Sequence, residues 1–531
     1  MKAALNRIPE PFFVFSIFFV FYLLNLTENF SGPHDSMSYL NEIRQGKGLF
    51  QPHHLLYHFT TYHLLHFLQI FFSNVQPYYL VAIIDCVWGC LSLAIAYQFF
   101  RNRFLFSRAE AFCATSVIAF SFGMWFYSTN VEVYMPPLFF LLCGLYITTK
   151  EFLTKRDVVL LAIVHSLAIL FHQSNVLFTP IVLWKLWQSR KAVNLGRSIL
   201  QYALIGILLV AGSYVIAGWW IEGHNDLQSF NTWIRGYTTN TRYWFPFNAS
   251  TAVKAVIGFG HAIIGGHFIF KVGLLSDYLN KLFFYHSLSD EPYVVRNLSD
   301  AGSTALLLLT IILFFLLMVL LIRVIVHFRG LLARHRTVLI PLLLFFLIYS
   351  LFFFFWMPEI LEFWIPQTAV FWMLLLGLTK SIQRVSFLKR RYTVFLAIAV
   401  LLFIINFFGS IYWLKDLKND IVYAKIKKIK AVATEKDVIL LRDGWLVKDF
   451  LEYFTKSIVR EIPTDQKRLA LLNGEVNNCL RNGGQLYLFT EGASIHASKN
   501  NRYIDSLLNA YPSKSRVFQE ELTMVKIIST Q

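Results

Sequence analysis

The chain has 531 residues, of which 56% are hydrophobic, 17% aromatic and only 15% charged, with a mean hydropathy of +0.52. Soluble proteins carry about 25% charged residues, so a water-soluble globule, a disordered tail, a collagen and a small disulfide scaffold are excluded. The 48 basic and 31 acidic residues leave a formal charge of +17, which in a membrane chain is first tested against the gathering of Lys and Arg in cytoplasmic loops.

The first apolar run, Pro11 to Leu26, follows Lys2 and Arg7 and meets Thr27-Glu28-Asn29 without a small-residue cleavage site. It reads as an uncleaved signal anchor with a cytoplasmic N-terminus. In the segment His53 to Phe72, His54, His58, Tyr62 and His66 recur every four residues opposite Leu55, Phe59 and Leu65. That spacing predicts a helix with one polar face, lying in the outer interface. Further spans are predicted at Tyr78 to Phe100, Ala109 to Tyr127, Pro136 to Thr149, Val158 to Phe171, Val176 to Trp187, Ile199 to Gly218, Ala305 to Val326, Val338 to Trp356, Phe363 to Leu378 and Tyr392 to Trp413. With the anchor this makes about eleven transmembrane helices, several of them shorter than the ~20 residues of a straight crossing.

Basic residues gather at alternate turns: Arg101, Arg103 and Arg108; Lys150, Lys155 and Arg156; Lys185, Arg190, Lys191 and Arg197; Arg323, Arg329, Arg334 and Arg336; Lys380, Arg384, Lys389, Arg390 and Arg391. If His53 to Phe72 crossed, all of these would face outward, so the positive-inside rule keeps that segment on the outer side. The basicity is then a marker of the cytoplasmic side, and nucleic acid is not expected as a partner. The weakly apolar piece Val253 to Leu275, broken by Lys254, His261, His267 and Lys271, reads as interfacial or re-entrant, since its flanks return to one side. Beyond Trp413 the composition becomes that of a soluble domain, with strands predicted at Val438 to Leu441 and Gln485 to Thr490, helices at Leu446 to Phe454 and Ile504 to Ala510, and two closing strands within Val517 to Ser529.

The expected architecture is an all-α polytopic membrane protein with a small C-terminal α/β extramembrane domain. Residues 1–413 form the membrane domain, with a first outer loop 28–76 and a long outer loop 219–303, and residues 414–531 lie on the outer side. Cys86, Cys90, Cys113 and Cys143 fall in apolar runs and Cys479 stands alone, without CxxC or Cys/His spacing, so no disulfide framework is implied.

Ionisable and amide residues at membrane depth are costly and therefore point to function. They collect at the outer turns, in Gly32 to Tyr39, Pro52 to Tyr57, Ser128 to Pro137 and His172 to Asn175. Asp35 and Glu132, supplied by different loops, are candidates for a general base and an orienting carboxylate. Asp35 equally reads as a solvated charge or the cap of a helix over Ser36 to Arg44. Glu132, among Val131, Val133, Tyr134 and two prolines, is harder to explain as a surface charge.

Asp35, the run Pro52-His53-His54-Leu55-Leu56-Tyr57, the turn Trp125-Phe126-Tyr127-Ser128-Thr129-Asn130-Val131-Glu132-Val133-Tyr134 and Phe171-His172-Gln173-Ser174-Asn175 resemble the GT-C superfamily of membrane glycosyltransferases, on the bacterial branch similar to protein O-mannosyltransferases. The motifs cover about the first 190 residues, and the remainder is similar in architecture only. The resemblance implies transfer of a hexosyl or pentosyl group from a polyprenyl-phosphate sugar to a protein, lipid or glycan acceptor at the periplasmic face of a bacterial inner membrane. It implies Asp35 as the first-loop catalytic carboxylate and Glu132 as the second acidic residue. The first-loop motif here has His34 in place of a second carboxylate, which makes a poorer hard-cation site and leaves a divalent metal open.

Candidate substrate contacts are His53, His54, Tyr57, Tyr134, His172, Gln173, Arg235, Arg242, Glu359 and Glu362. Arg235 and Arg242 present forks suited to phosphate oxygens, or serve as headgroup anchors among interfacial aromatics. His53, His54 and His58 read as a polar substrate-facing surface or as part of a zinc site lacking a third ligand at defined spacing. His172 and Gln173 bind a ligand or cap their turn. Glu359 and Glu362 contact an acceptor or anchor the interface. The alternative class is a transporter or flippase of a lipid-linked or small polar substrate. Against it, the polar residues sit at helix ends and no inverted repeat is evident. The C-terminal domain carries no motif, and its position points to acceptor recognition or a lid.

Overall fold

A computed structural model of the chain describes residues 9–282, 290–379, 391–441, 444–463, 465–489, 505–506, 509, 515–519 and 524–529. The predicted basic residues Lys380, Arg384, Lys389 and Arg390 lie outside the described residues, as does most of the predicted helix Ile504 to Ala510. The chain divides into two compact units, Met1–Thr27 with Glu42–Lys415, and Glu28–Asn41 with Asp416–Gln531.

The first unit is helical because its apolar runs leave backbone groups no water to bond, and a helix satisfies them within the segment. Among the described residues, five helices are long and apolar enough to cross a membrane: Pro77–Arg103, Leu195–Ile221, Asp300–Phe355, Leu361–Leu378 and Arg391–Leu414. The pair Arg108–Ala119 and Phe122–Ser128, bent by 75°, makes a sixth if it forms one span. Glu10–Leu23, Met135–Thr148 and Ala249–Ile263 are apolar but shorter.

Two expectations change. The runs Ala305 to Val326 and Val338 to Trp356 are joined by helix where a turn is predicted, giving the 56-residue element Asp300–Phe355. The intervening Arg, Leu and Ala are strong helix formers. At 1.5 Å per residue the element measures about 84 Å, far beyond a ~30 Å hydrocarbon core, and it consists of two helices meeting at His335, whose φ of −122° and ψ of 28° are not helical. Pro341, just beyond, lacks the N–H that would bond the preceding turn. The segment after His53 does form a helix, Tyr57–Phe71, but its polar side is not uniformly outward: His54 and His58 are buried, and only His66 of that stripe is exposed.

The two ends of the membrane unit are marked by long-range bonds. Glu10, opening the first helix, accepts from Arg101 Nε at 2.9 Å, Arg108 Nε at 2.5 Å and the Tyr97 hydroxyl at 2.8 Å. The helix start and the first basic cluster thus share one end, as side-sorting of the basic residues requires. At the other end the Thr27 N–H donates to the Thr129 carbonyl at 3.0 Å, which seats the exit of the first helix beside the Glu132 turn. A Cβ on Gly89 would lie 2.1 Å from Ser128 Oγ, so glycine lets Pro77–Gln98 approach the helix that enters this turn.

Asn406 ties three segments together in the interior. Its Nδ2 donates to the carbonyls of Phe120 at 2.7 Å and Ile263 at 2.9 Å, and its Oδ1 accepts from Gly265 N–H at 3.0 Å. Trp125 stacks against both Phe403 and Phe407, with ring centroids 5.9 and 6.1 Å away.

The second unit holds a five-stranded sheet of β1 (Val438–Leu441), β2 (Ile458–Glu461), β3 (Gln485–Phe489), β4 (Ser515–Gln519) and β5 (Met524–Ser529), in the order β2-β1-β3-β5-β4. β1 is parallel to β2 and β3, and β5 runs antiparallel to β3 and β4. Helices Ile421–Val432, Trp445–Phe454 and Gln466–Arg481 accompany the sheet. Val438, Leu440, Leu486 and Leu488 from the strands pack with Leu472, Val476 and Leu480 of the last helix, the alternation expected when a strand buries one face against a helix stripe. β2 and the helix Gln466–Arg481 are additions to the elements legible in the sequence.

Asn406→Leu is expected to leave three backbone groups unpaired in the apolar interior, at about 1–3 kcal/mol each. Thermal unfolding of the detergent-solubilised protein should show a clearly lowered midpoint; an unchanged midpoint would mean that the three segments are held by packing alone.

Candidate functional site

The Glu132 turn joins helices Phe122–Ser128 and Met135–Thr148. Prolines at Pro136 and Pro137 occupy the first turn of the second helix, where their missing N–H groups cost nothing. Glu132 is only 1% exposed, and its Oε2 accepts from Val133 N–H at 3.2 Å. Its own N–H donates to Asp85 Oδ2 at 3.2 Å, and the same oxygen accepts the Tyr57 hydroxyl at 2.7 Å. Asp85 is fully buried in the helix Pro77–Gln98. It was not among the residues singled out from the sequence, although an ionisable group inside an apolar span is itself a signal of function.

Close by, the histidines form a buried cluster. The rings of His54 and His58 have centroids 4.9 Å apart, and His58 Nε2 lies 3.5 Å from Glu42 Oε2. His53 Nδ1 is 3.1 Å from Gln173 Oε1, and its ring packs 4.2 Å from that of Tyr237. Gly236 makes this approach, since a Cβ there would meet His53 Nε2 at 2.4 Å and its φ of +46° disfavours any side chain. Burial brings His58 down to about 3, and burial with the neighbouring His53 brings His172 down to about 3. Burial, then the charges of His58, His172 and His53, pushes His54 well below the ordinary histidine range. At neutral pH these rings are uncharged hydrogen-bonding groups.

A second polar group lies against Tyr134. Glu362 accepts from the Tyr134 hydroxyl at 2.6 Å and the Tyr127 hydroxyl at 2.9 Å. His172, whose Nδ1 is 2.8 Å from Ser174 Oγ, has its ring 5.5 Å from that of Tyr134. Tyr134, His172 and Glu362 line a small cleft together with Leu138, Leu141 and Phe353, so polar and apolar groups share its surface. Glu359 instead faces Lys254, with 3.9 Å between Oε1 and Nζ. Arg235 and Arg242 are exposed on the long loop, with Arg242 5.9 Å above the Tyr243 ring. The structure therefore gathers His53, His54, Tyr57, Glu132, Tyr134, His172, Gln173 and Glu362 in one unit, and leaves the two arginines outside their hydrogen-bonded network.

Asp35 belongs to the second unit. It immediately precedes the helix Ser36–Gln45, and its Oδ2 accepts the Tyr39 hydroxyl at 3.2 Å while its carbonyl accepts Tyr39 N–H at 2.9 Å. His34 before it has a φ of +65°, a strained backbone for a residue with a side chain. Burial pushes the Asp35 carboxyl above the ordinary range, and the Tyr39 hydroxyl partly opposes this. Among the described residues, no three His, Cys, Asp or Glu side chains are grouped to hold a metal ion.

No protein-family model matches the chain, and no curated protein matches it. Among solved structures, ArnT from Cupriavidus metallidurans bound to undecaprenyl phosphate aligns with a TM-score of 0.57 at 9% identity, covering 97% of each chain. The apo state of the same protein gives a TM-score of 0.53 at equal identity and coverage. An oligosaccharyltransferase from Archaeoglobus fulgidus, in a complex with Zn and sulfate, gives 0.47 at 13% identity over 90% of this chain and 68% of that one. The apolar helices and this likeness of fold make the chain an integral membrane protein of the GT-C fold, shared with ArnT over nearly its whole length.

Proposed function

We propose that the chain is a membrane glycosyltransferase that moves a sugar from a polyprenyl-phosphate carrier to an acceptor hydroxyl. The supporting observation is the nearly full-length likeness to ArnT, whose structure holds undecaprenyl phosphate. Asp35 takes the acceptor proton, the acceptor oxygen bonds to the anomeric carbon, and the bond from that carbon to the phosphate oxygen breaks, releasing polyprenyl phosphate as an anion. A carboxyl raised by burial is a stronger base than a solvated one, which suits this role. In the membrane unit Glu132 is the second acidic residue proposed to serve the transfer, its backbone N–H held by Asp85. The neutral imidazoles of His53, His54 and His172, with Gln173, Tyr57, Tyr134 and Glu362, offer donors and acceptors to sugar hydroxyls. Glu359 lies at the same turn as Glu362, and Arg235 and Arg242 supply charge to the phosphate from the mobile headgroup zone. The reaction is assigned to the periplasmic face of a bacterial inner membrane, with the N-terminus cytoplasmic and the C-terminal domain outside.

The test is sugar transfer, or donor hydrolysis, from a panel of undecaprenyl-phosphate hexoses and pentoses by purified protein. Asp35→Asn and Glu132→Gln should each lower kcat by about 10²-fold or more while inserting and folding as wild type. Full activity in both variants would remove the catalytic assignment. Movement of the intact lipid across a liposome bilayer, with no sugar released, would favour the flippase class.

The raised Asp35 carboxyl also fixes a pH dependence. A base works when deprotonated, so activity is lost as pH falls through its folded-state value, and the acid limb should lie above the ~3.9 of a free Asp. Tyr39→Phe removes a hydrogen bond that favours the charged carboxylate, so that limb should move to higher pH in a profile of kcat/KM. A shift to lower pH would contradict the role of the Tyr39 hydroxyl.

A further inference from the structure

The residue that holds the Asp35 segment in place lies almost four hundred positions further along the chain. Asp420 is fully buried, and its carboxylate accepts four backbone N–H groups. Oδ2 takes those of Phe30 at 2.8 Å and Ser31 at 2.9 Å. Oδ1 takes those of Val422 and Tyr423, each at 2.9 Å, and so caps the helix Ile421–Val432.

From Ser31 the bonding continues to Asp35. The Ser31 carbonyl accepts His34 N–H at 3.2 Å, and the Pro33 carbonyl accepts Asp35 N–H at 2.8 Å. Asn29 Oδ1 accepts Gly32 N–H at 3.0 Å, and His34 sits at its positive φ. A backbone wound this tightly keeps its shape only when its entry is fixed, and Asp420 fixes it two links from Asp35. Downstream, Asn41 Nδ2 donates to the Asp449 carbonyl at 2.9 Å, so the segment is fastened to the C-terminal residues on both sides of Asp35.

We propose that Asp420 is a positioning residue for Asp35, and that the C-terminal unit serves sugar transfer by setting the backbone of the Asp35 segment. The proposal rests on the role given to Asp35 above. It differs from an acceptor-binding domain or lid in one consequence: Asp35 deprotonates whichever hydroxyl attacks, water included, so loss of the Asp420 bonds lowers donor hydrolysis even where no sugar acceptor is present.

The chemistry of the side chain provides the test. A carboxylate only accepts, whereas an amide has one accepting oxygen and an NH₂ group. Asn caps helices about as well as Asp, so Asp420→Asn can keep its oxygen on Val422 and Tyr423 and turn its NH₂ toward the N–H groups of Phe30 and Ser31. The helix stays capped and the Asp35 segment loses its anchor. Asp437→Asn is the matched control, because Asp437 is also buried in the second unit and accepts the N–H groups of Thr434 and Gln485, away from residues 28–41.

The measurements use full-length protein in detergent. They are donor hydrolysis with the panel compound on which wild type is active, and amide hydrogen exchange of the peptide spanning residues 28–41. Asp420→Asn should lower kcat by about 10²-fold, the cost of a misplaced catalytic group, with KM for the donor close to wild type. Exchange in residues 28–41 should be faster, and Asp437→Asn should keep its kcat and its exchange there. Wild-type kcat in Asp420→Asn, with Asp35→Asn inactive, would overturn the positioning role while leaving Asp35 as the base. Equal losses in Asp420→Asn and Asp437→Asn, or exchange unchanged at residues 28–41, would also overturn it. Activity in Asp35→Asn would overturn both readings together.

Discussion

Burial sets the terms for this protein: each polar group taken out of solvent needs a partner, and where the surroundings are apolar the chain itself must supply it. In the membrane unit, helices satisfy the backbone, and the few polar side chains left inside are placed where helices end or approach. Asn406 answers three backbone groups of other segments. Asp85 receives the hydroxyl of Tyr57 and the amide of Glu132. Both are buried, and both stabilise a junction that apolar packing alone leaves unspecified in register.

The same constraint gives the candidate site its character. Buried imidazoles lose their charge because desolvation outweighs what their neighbours offer, so the histidine cluster is polar yet uncharged. Glu362 keeps two tyrosine hydroxyls as donors, and Glu132 is enclosed by its own turn. In the second unit, the carboxylate of Asp420 concentrates four donors at one point, which no single neutral acceptor provides.

Much of the frame was legible beforehand because lipid burial leaves a coarse signal. Apolar runs fell on helices, β1, β3 and the helix Trp445–Phe454 appeared within a residue of their expected limits, and the motifs around Glu132 and His172 met in one cluster. Other features escaped for particular reasons. Asp85 lay inside a run whose average hydropathy hid it. His54 and His58 share their spacing with His66, and periodicity reports a common face without saying what covers it. The joint at His335 replaced a turn because the residues between the two runs favour helix. The strand β2 is only four residues long and mostly exposed, so alternation had too few positions to register.

The amino-acid sequence alone marked the long apolar runs as membrane helices and the C-terminal region as a separate domain of strands and helices, and it led to an expected side for each basic cluster by charge. These are properties of composition and local period, and they need no knowledge of distant neighbours. Only the tertiary structure decided that residues 28–41 pack with the C-terminal region and that Asp420 bonds Phe30 and Ser31 across 390 and 389 positions. A side chain's type shows that it must be satisfied when buried. Which backbone satisfies it is settled by how the chain closes on itself, and no local pattern records that choice.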